Sequence, residues 1–288
     1  MRRTATPCLA SEGTVVAGYG RDCLVQSGDT LIRAKARNRE VQPVAGDRVM
    51  LVETNIIEAL APRTSVFARA GSHRTKVIAA NVTQIIAVAA CEPPFSDELL
   101  SRFAIAAEWN GLPMAIVLNK VDLADLHAAA MEMLAPFHDA GYPVVELSAA
   151  RDAAPLRPLL AGHRSVLVGQ SGMGKSTLLK QLVPRAEVHI QEISSFLAAG
   201  KQSTTASRLY ALDEHSAIID TPGVAEFGLA GLDARAIASG FREIPALAAR
   251  CRFSDCRHLA EPGCAVRGAI HPRRQVLYER IMQSERPV

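Results

Sequence analysis

Aromatic side chains are scarce in this sequence: they make up 5% of 288 residues, with a single tryptophan. No apolar run reaches the roughly eighteen residues that a membrane span requires. The opening MRRTATPCLASEG has two arginines but no apolar segment behind them, so no secretory leader is expected. There is no internal repeat, no low-complexity tract and no amphipathic anchor. These absences argue against a membrane protein and leave a cytoplasmic one as the expectation. Hydrophobic residues at 49% and charged residues at 21% also exclude a disordered chain. The length permits a full core and two domains or so.

The formal charge of +3 is unevenly spread. Residues 1–70 carry 10 Lys+Arg against 7 Asp+Glu, residues 71–240 carry 13 against 17, and residues 241–288 carry 9 against 5. Two basic ends around an acidic middle suit a polyanionic partner held by the ends, although ordinary scatter of surface charge gives the same totals. Of the six cysteines, Cys8, Cys23 and Cys91 are scattered, whereas Cys251, Cys256 and Cys264 are clustered. With nothing to suggest secretion, the cluster reads as a metal site rather than as disulfides.

From residue 13 to about 70, short apolar runs such as DCLVQSGDTLIRA and QPVAGDRVMLVE alternate with turn residues at hairpin spacing. They predict a small five-stranded barrel, a shape that often binds RNA or oligonucleotides. Only Tyr19 and Phe67 are available there for base stacking, while RAKARNRE (Arg33 to Glu40) offers a grip for phosphates or simply a solvated hairpin. From about residue 77 the pattern becomes strand–helix alternation. VTQIIAVAA, PMAIVLNK, PVVELSA, SVLVG and HSAIID read as buried strands, and DELLSRFAIAAEWNG, LHAAAMEMLAPFHDAG and KSTLLKQLV as helices. That is an α/β domain with a parallel sheet and a ligand site at the strand C-termini. Helical pieces around the cysteines follow residue 239. The expected domains are residues 1–70, 71–238 and 239–288.

Gly169-Gln170-Ser171-Gly172-Met173-Gly174-Lys175-Ser176 matches G-x-x-x-x-G-K-[ST] between a predicted strand and a predicted helix, the context this motif requires. The glycines let backbone N–H groups converge on phosphate oxygens, and the helix N-terminus adds partial positive charge. Lys175 would reach the β- and γ-phosphates and Ser176 would ligate Mg²⁺; Thr177, next in the helix, is counted with the nucleotide contacts. Asn119-Lys120-Val121-Asp122 ends a predicted strand, where a carboxylate can accept two hydrogen bonds from guanine that adenine cannot offer. Ser148-Ala149-Ala150 ends another strand and is a weaker signal for a backbone contact to the base. Asp220-Thr221-Pro222-Gly223 follows an apolar strand; Asp220 can hold Mg²⁺ through water and the Gly223 N–H can meet the γ-phosphate. Between the phosphate loop and Asp220, GKQSTTASRLY supplies Thr204 or Thr205 to complete the Mg²⁺ shell, unless it is simply a polar surface loop.

The guanine selector precedes the phosphate loop, the reverse of the usual order. The domain is therefore expected to be circularly permuted, which termini lying close together at a domain surface make tolerable. The segment from Asp220 to about Leu229 then leads almost directly into the C-terminal module, so loss of the γ-phosphate could be passed to whatever that module touches. In that module Cys251-x4-Cys256-x-His258-x5-Cys264 offers three thiolates and an imidazole, a closed tetrahedral set suited to one structural zinc. Such a metal could hold a tail too small for its own core. His271 lies nearby at looser spacing.

A permuted GTPase core with a small barrel before it and a Cys3His module after it resembles the RsgA family of small-subunit-dependent GTPases. GQSGMGKST, DTPGVAEFGL and CRFSDCRHLAEPGCAV carry the resemblance, which covers nearly the whole chain. It implies an OB-fold barrel touching ribosomal RNA, binding to the small ribosomal subunit late in maturation, GTP hydrolysis stimulated by that subunit, and release afterwards. Lys175, Gln202, Thr204, Asp220 and Gly223 are the expected catalytic residues, and a monomer is expected. The sequence departs from the family where Gln202 stands in place of a suspected catalytic histidine, and where Ala225 and Ala230 replace an arginine and a tryptophan. Val224 follows Gly223, so the water-positioning glutamine of small signalling GTPases is missing, as in the family; slow intrinsic hydrolysis is implied. The competing readings are a nucleotide-gated RNA-binding or assembly module with negligible turnover, and a permuted GTPase that works away from the ribosome.

Overall fold

The computed structural model describes residues 11–53, 55–71, 75–183, 207–221 and 227–285. Five strands open it: β1 (Ser11–Tyr19), β2 (Asp22–Ser27), β3 (Thr30–Ala36), β4 (Arg48–Val52) and β5 (Ile56–Leu60). In β4, Val49 and Leu51 are buried while Arg48 and Met50 face out, the period-two alternation of a strand with one wet face. Strand β1 pairs with both β2 and β4, β3 runs parallel to β5, and β5 pairs with β4. The ring closes around Val15, Val25, Val49, Leu51 and Ile57. This is the expected barrel.

A hairpin of β6 (Val66–Arg69) and β7 (Lys76–Ala80) follows, and then the strand–helix alternation begins. Its elements are β8 (Gln84–Ala90), α1 (Asp97–Trp109), β9 (Met114–Asn119), α2 (Ala124–Asp139), β10 (Val144–Glu146), α3 (Arg157–Leu160), β11 (Arg164–Val168), α4 (Lys175–Leu182), β12 (Arg208–Ala211) and β13 (Ala217–Asp220). They form a sheet in the order β10-β9-β8-β11-β13-β12, parallel except for β12 against β13. Every residue of β8 and β9 is buried, which is why both read as unbroken apolar runs. Helix α1 starts where the sequence signals it: Ser96 Oγ accepts from the Leu99 N–H at 3.1 Å, and Asp97 and Glu98 fill the first turn. It stops at Asn110, followed by Gly111 at φ +65°.

Strand β11, which carries the phosphate loop, lies between β8 and β13. The C-terminal ends of β8, β9, β11 and β13 therefore share one edge of the sheet, and the reordered chain still builds a single site there.

The barrel and this sheet are continuous. Ala17 of β1 pairs antiparallel with Arg208 of β12, making one eleven-stranded sheet. Two further bonds seal the seam, from Arg164 Nη1 and Asn81 Nδ2 to the Gly46 carbonyl at 2.8 and 2.9 Å. Beyond β13 come α5 (Ala234–Ser239), α6 (Ile244–Ala248) and α7 (Pro272–Glu285). Helix α7 is anchored by Arg274, fully buried against the rings of Phe137 and Phe241 and bonded to both carboxylate oxygens of Glu243 at 2.7 and 3.1 Å. Among the described residues, no helix is long and apolar enough to cross a membrane.

Candidate functional site

The loop after β11 turns through three glycines at positive φ: Gly169 at +146°, Gly172 at +82° and Gly174 at +92°. Gly174 caps the start of α4, and a Cβ there would lie 2.1 Å from Asn119 Nδ2, so only glycine fits. Met173 is buried, while Ser171, Ser176 and Thr177 are exposed at the mouth of the loop. Lys175 Nζ donates to the carbonyls of Gly169 and Gln170 at 2.5 and 2.8 Å, which holds the ammonium within the loop's curve. A ring of positive-φ backbone at a helix N-terminus with a lysine inside it is the chemistry of a phosphate cradle.

Asn119, at the end of β9, braces this loop to the neighbouring strand ends. Its Nδ2 donates to the Met173 carbonyl at 2.9 Å, and its Oδ1 accepts from the Lys120 and Ala149 N–H groups, each at 2.8 Å. Lys120 follows at φ +62°, Val121 donates weakly to the Leu147 carbonyl at 3.4 Å, and Asp122 is exposed. The Ser148 hydroxyl beside Asp122 is the main influence holding that carboxyl below the usual carboxylate range. Phosphate loop, Asn-Lys-Val-Asp and Ser-Ala turn thus meet around the Asn119 side chain.

Asp220 closes β13, opposite Arg208 in the strand register. Burial pushes its carboxyl up and the Lys175 ammonium down, and each is opposed by the charge of the other. The two charges are therefore near enough to act on each other. Thr221 Oγ1 donates to the Leu167 carbonyl at 2.7 Å, fixing the start of the Asp-Thr-Pro-Gly segment against β11. The expectations at Gln202, Thr204, Thr205 and Gly223, and the departures at Val224 and Ala225, fall outside the described residues. Ala230 is exposed.

Sequence reading missed the outer support of the loop. The Ser96 N–H donates to Gln170 Oε1 at 2.6 Å, so the residue that caps α1 also grips the phosphate loop. Its partner lies on a distant loop, which no local pattern in the sequence marks. Arg208 was missed as well, since nothing local marks it as the neighbour of Asp220.

In the C-terminal module, Cys251 Sγ, Cys256 Sγ, His258 and Cys264 Sγ offer ligand atoms all within 4.8 Å of one another. His258 Nδ1 lies 3.6 Å from both Cys251 Sγ and Cys264 Sγ. Tetrahedral bonds of about 2.3 Å to sulfur and about 2.0 Å to nitrogen require an S···N edge near ~3.6 Å. The cluster fits a metal ion of that kind. The Ala265 N–H donates to Cys251 Sγ at 3.3 Å, an outer-shell bond of the sort that steadies a thiolate ligand.

Fold and site together define a circularly permuted P-loop GTPase carrying a barrel before it and a metal module after it. The RsgA GTPase family model matches residues 60–230, and the chain belongs to that family. It is 43% identical over 284 residues to the small ribosomal subunit biogenesis GTPase RsgA of Nitrosomonas europaea, covering 94% of this chain and 90% of that one. Among solved structures, YjeQ from Thermotoga maritima is similar with a TM-score of 0.74 at 27% identity, covering 96% of this chain and 98% of that one. YloQ, a circularly permuted GTPase, shares the fold with a TM-score of 0.69 at 22% identity, covering 99% and 98%.

Proposed function

We propose that the protein binds the small ribosomal subunit and hydrolyses GTP during late maturation of that subunit, with nucleotide state controlling release. The observation that carries this reading is the Asn119 brace, which joins phosphate loop, guanine selector and Ser-Ala turn into one site in a chain 43% identical to a small ribosomal subunit biogenesis GTPase. Asp122 would accept the ring N–H and exocyclic amine of guanine, while Lys120, Val121, Ser148 and Ala149 shape the base side. Gly169 to Gly174, with Lys175, Ser176 and Thr177, would wrap the phosphates. Magnesium, held by Ser176 and by Thr204 or Thr205, with Asp220 acting through water, would neutralise charge on the β- and γ-oxygens.

Water would attack the γ-phosphorus in line as the bond to the bridging oxygen breaks, giving GDP and phosphate. Lys175 would stabilise the charge that accumulates, Gln202 would orient the water through its amide, and the Gly223 N–H would report the γ-phosphate. The Cys3His cluster would hold one zinc, ribosomal RNA would be met by the barrel, and the protein would act as a cytoplasmic monomer. Divisions near residues 70 and 238 would separate barrel, GTPase domain and metal module.

The test is GTP turnover by purified protein, alone and with small subunits, beside Lys175→Ala. A rise of orders of magnitude that the variant lacks is expected. No rise with subunit binding intact would make the protein a nucleotide-gated assembly module, as Gln202 in place of the family histidine would favour. Asp122→Asn should shift preference from guanine toward xanthine nucleotides; unchanged GTP affinity would remove Asp122 as the base reader.

A further inference from the structure

Four residues line up across four neighbouring strands: Ala17 of β1, Arg208 of β12, Asp220 of β13 and Leu167 of β11. Residues directly opposite in an antiparallel pair put their side chains on the same side of the sheet. Arg208 and Asp220 are therefore same-face neighbours, while Leu209 and Ile219 point the other way. Leu167 lies two residues before Gly169, where the phosphate loop begins. The row runs from the barrel to the root of that loop.

Arg208 is fixed within this row. The pairing of β1 with β2 shifts register between Val15 and Ala17, and just past the shift Ala17 takes Arg208 as its partner on the other side. The Arg208 backbone thus has a strand on each flank. Its guanidinium donates to the hydroxyl of Tyr210, which is buried two residues along the same face. Burial raises the Asp220 carboxyl, and the cations that oppose this are Lys175 first and Arg208 second. Arg208 so brings a second positive charge to bear on the carboxylate, from a neighbouring strand rather than from the phosphate loop.

We propose that Arg208 is a specificity-determining residue: its charge, held beside Asp220, sets the preference of the site for GTP over GDP. This rests on the reading above that Asp220 stands at the γ-phosphate end. A carboxylate is needed there to hold a magnesium-bound water, yet it repels the γ-phosphate that must lie close by. A fixed cation beside the carboxylate offsets that repulsion. The offset matters more for a triphosphate, whose extra charge sits at this end, than for a diphosphate. Lys175 is committed elsewhere, because its ammonium would turn to the β- and γ-phosphates when nucleotide binds. A guanidinium stays charged at any working pH, and this one is anchored before nucleotide arrives, so the field needs no reorganisation. Arg208 acts through the charge around Asp220 and need not touch the nucleotide.

The experiment measures dissociation constants of fluorescent GDP and of a fluorescent non-hydrolysable GTP analogue, at saturating magnesium, with the full chain and no ribosomal subunits. Wild type is compared with Arg208→Met, Arg208→Gln and Arg208→Lys, and thermal unfolding is recorded for each. Arg208→Met should weaken the triphosphate by about tenfold more than the diphosphate. Arg208→Lys, which keeps the charge, should recover most of that preference. A role in folding alone would weaken both nucleotides alike, and lysine would not rescue it. Arg208→Gln keeps a donor for Tyr210 and gives the answer if the methionine variant unfolds. An unchanged triphosphate-to-diphosphate ratio in a folded, uncharged variant would overturn the proposal. So would a lysine variant as impaired as the glutamine one. The underlying reading is tested separately by Lys175→Ala in the same titrations and by small-subunit stimulation of wild-type turnover. Full binding by Lys175→Ala removes the phosphate site itself, whereas missing stimulation removes the ribosomal role and leaves the ratio standing.

Discussion

Asn119 on β9 and Met173 in the phosphate loop are joined by a bond from the side-chain amide to the backbone carbonyl, 2.9 Å long and buried. The same side chain accepts two more N–H groups, so one residue aligns the surfaces expected to hold phosphate and base. Asn119→Ala should leave those buried backbone groups unsatisfied and destabilise the fold by about 3 kcal/mol. It should also weaken GTP and GDP together by more than about tenfold. Denaturant unfolding and a fluorescent-nucleotide titration check both parts. A variant as stable as wild type, with unchanged affinity, would show that the brace has no role.

Gly174 touches the same side chain, which permits a sharper test. Its φ of +92° is strained for any residue with a Cβ, and the added carbon would strike Asn119 Nδ2. Gly174→Ala should abolish nucleotide binding at concentrations where wild type is saturated. If the clash matters more than the backbone strain, Asn119→Ala in the Gly174→Ala background should cost much less than it does alone. Strict additivity would assign the whole defect to backbone conformation.

The pH dependence of guanine affinity should report on Ser148. A carboxyl held below its ordinary range stays ionised until the pH falls through that lowered value, so binding that needs Asp122 ionised persists to lower pH. In Ser148→Ala the main lowering influence is gone, and the fall in GTP affinity should begin at higher pH than in wild type. Titrations across the acidic range compare the two. Superimposable curves would show that Ser148 does not tune the base reader.

Most of the site was legible because its signals are local. Gly169 to Ser176 announces its own backbone, and the Cys251 to Cys264 spacing announces a tetrahedral ligand set. The unbroken apolar runs of β8 and β9 gave away a parallel sheet. What was not legible depends on contacts between distant residues. No pattern near Ala17 or Arg208 says that β1 and β12 pair, because each reads as an ordinary strand and pairing partners are chosen by tertiary packing. Arg274 resembles a surface arginine until Glu243, Phe137 and Phe241 enclose it.

A further long-range contact bears on regulation. Glu285, at the end of α7, accepts the Leu229 N–H at 3.2 Å and pairs with Arg102 of α1, whose Nη1 also reaches the Phe227 carbonyl at 3.4 Å. The chain just beyond the Asp-Thr-Pro-Gly segment is thereby tied to the helix that closes the metal module. Tyr278 on that helix bonds the Arg257 carbonyl, between Cys256 and His258, at 2.7 Å. If nucleotide state moves the Asp220 to Leu229 segment, Glu285 is where the movement would enter the module. Glu285→Ala breaks this link without touching the nucleotide site. It should cost about 2 kcal/mol in stability, since charged hydrogen bonds are lost at a mostly buried position. GTP affinity and intrinsic turnover should stay at wild-type values, while stimulation by small subunits falls severalfold. Parallel measurement of intrinsic and stimulated turnover decides the matter. A fall in both would place Glu285 in support of the GTPase fold alone, and full stimulation would mean that the signal reaches the subunit by another route, the β12–β1 seam being the next to test.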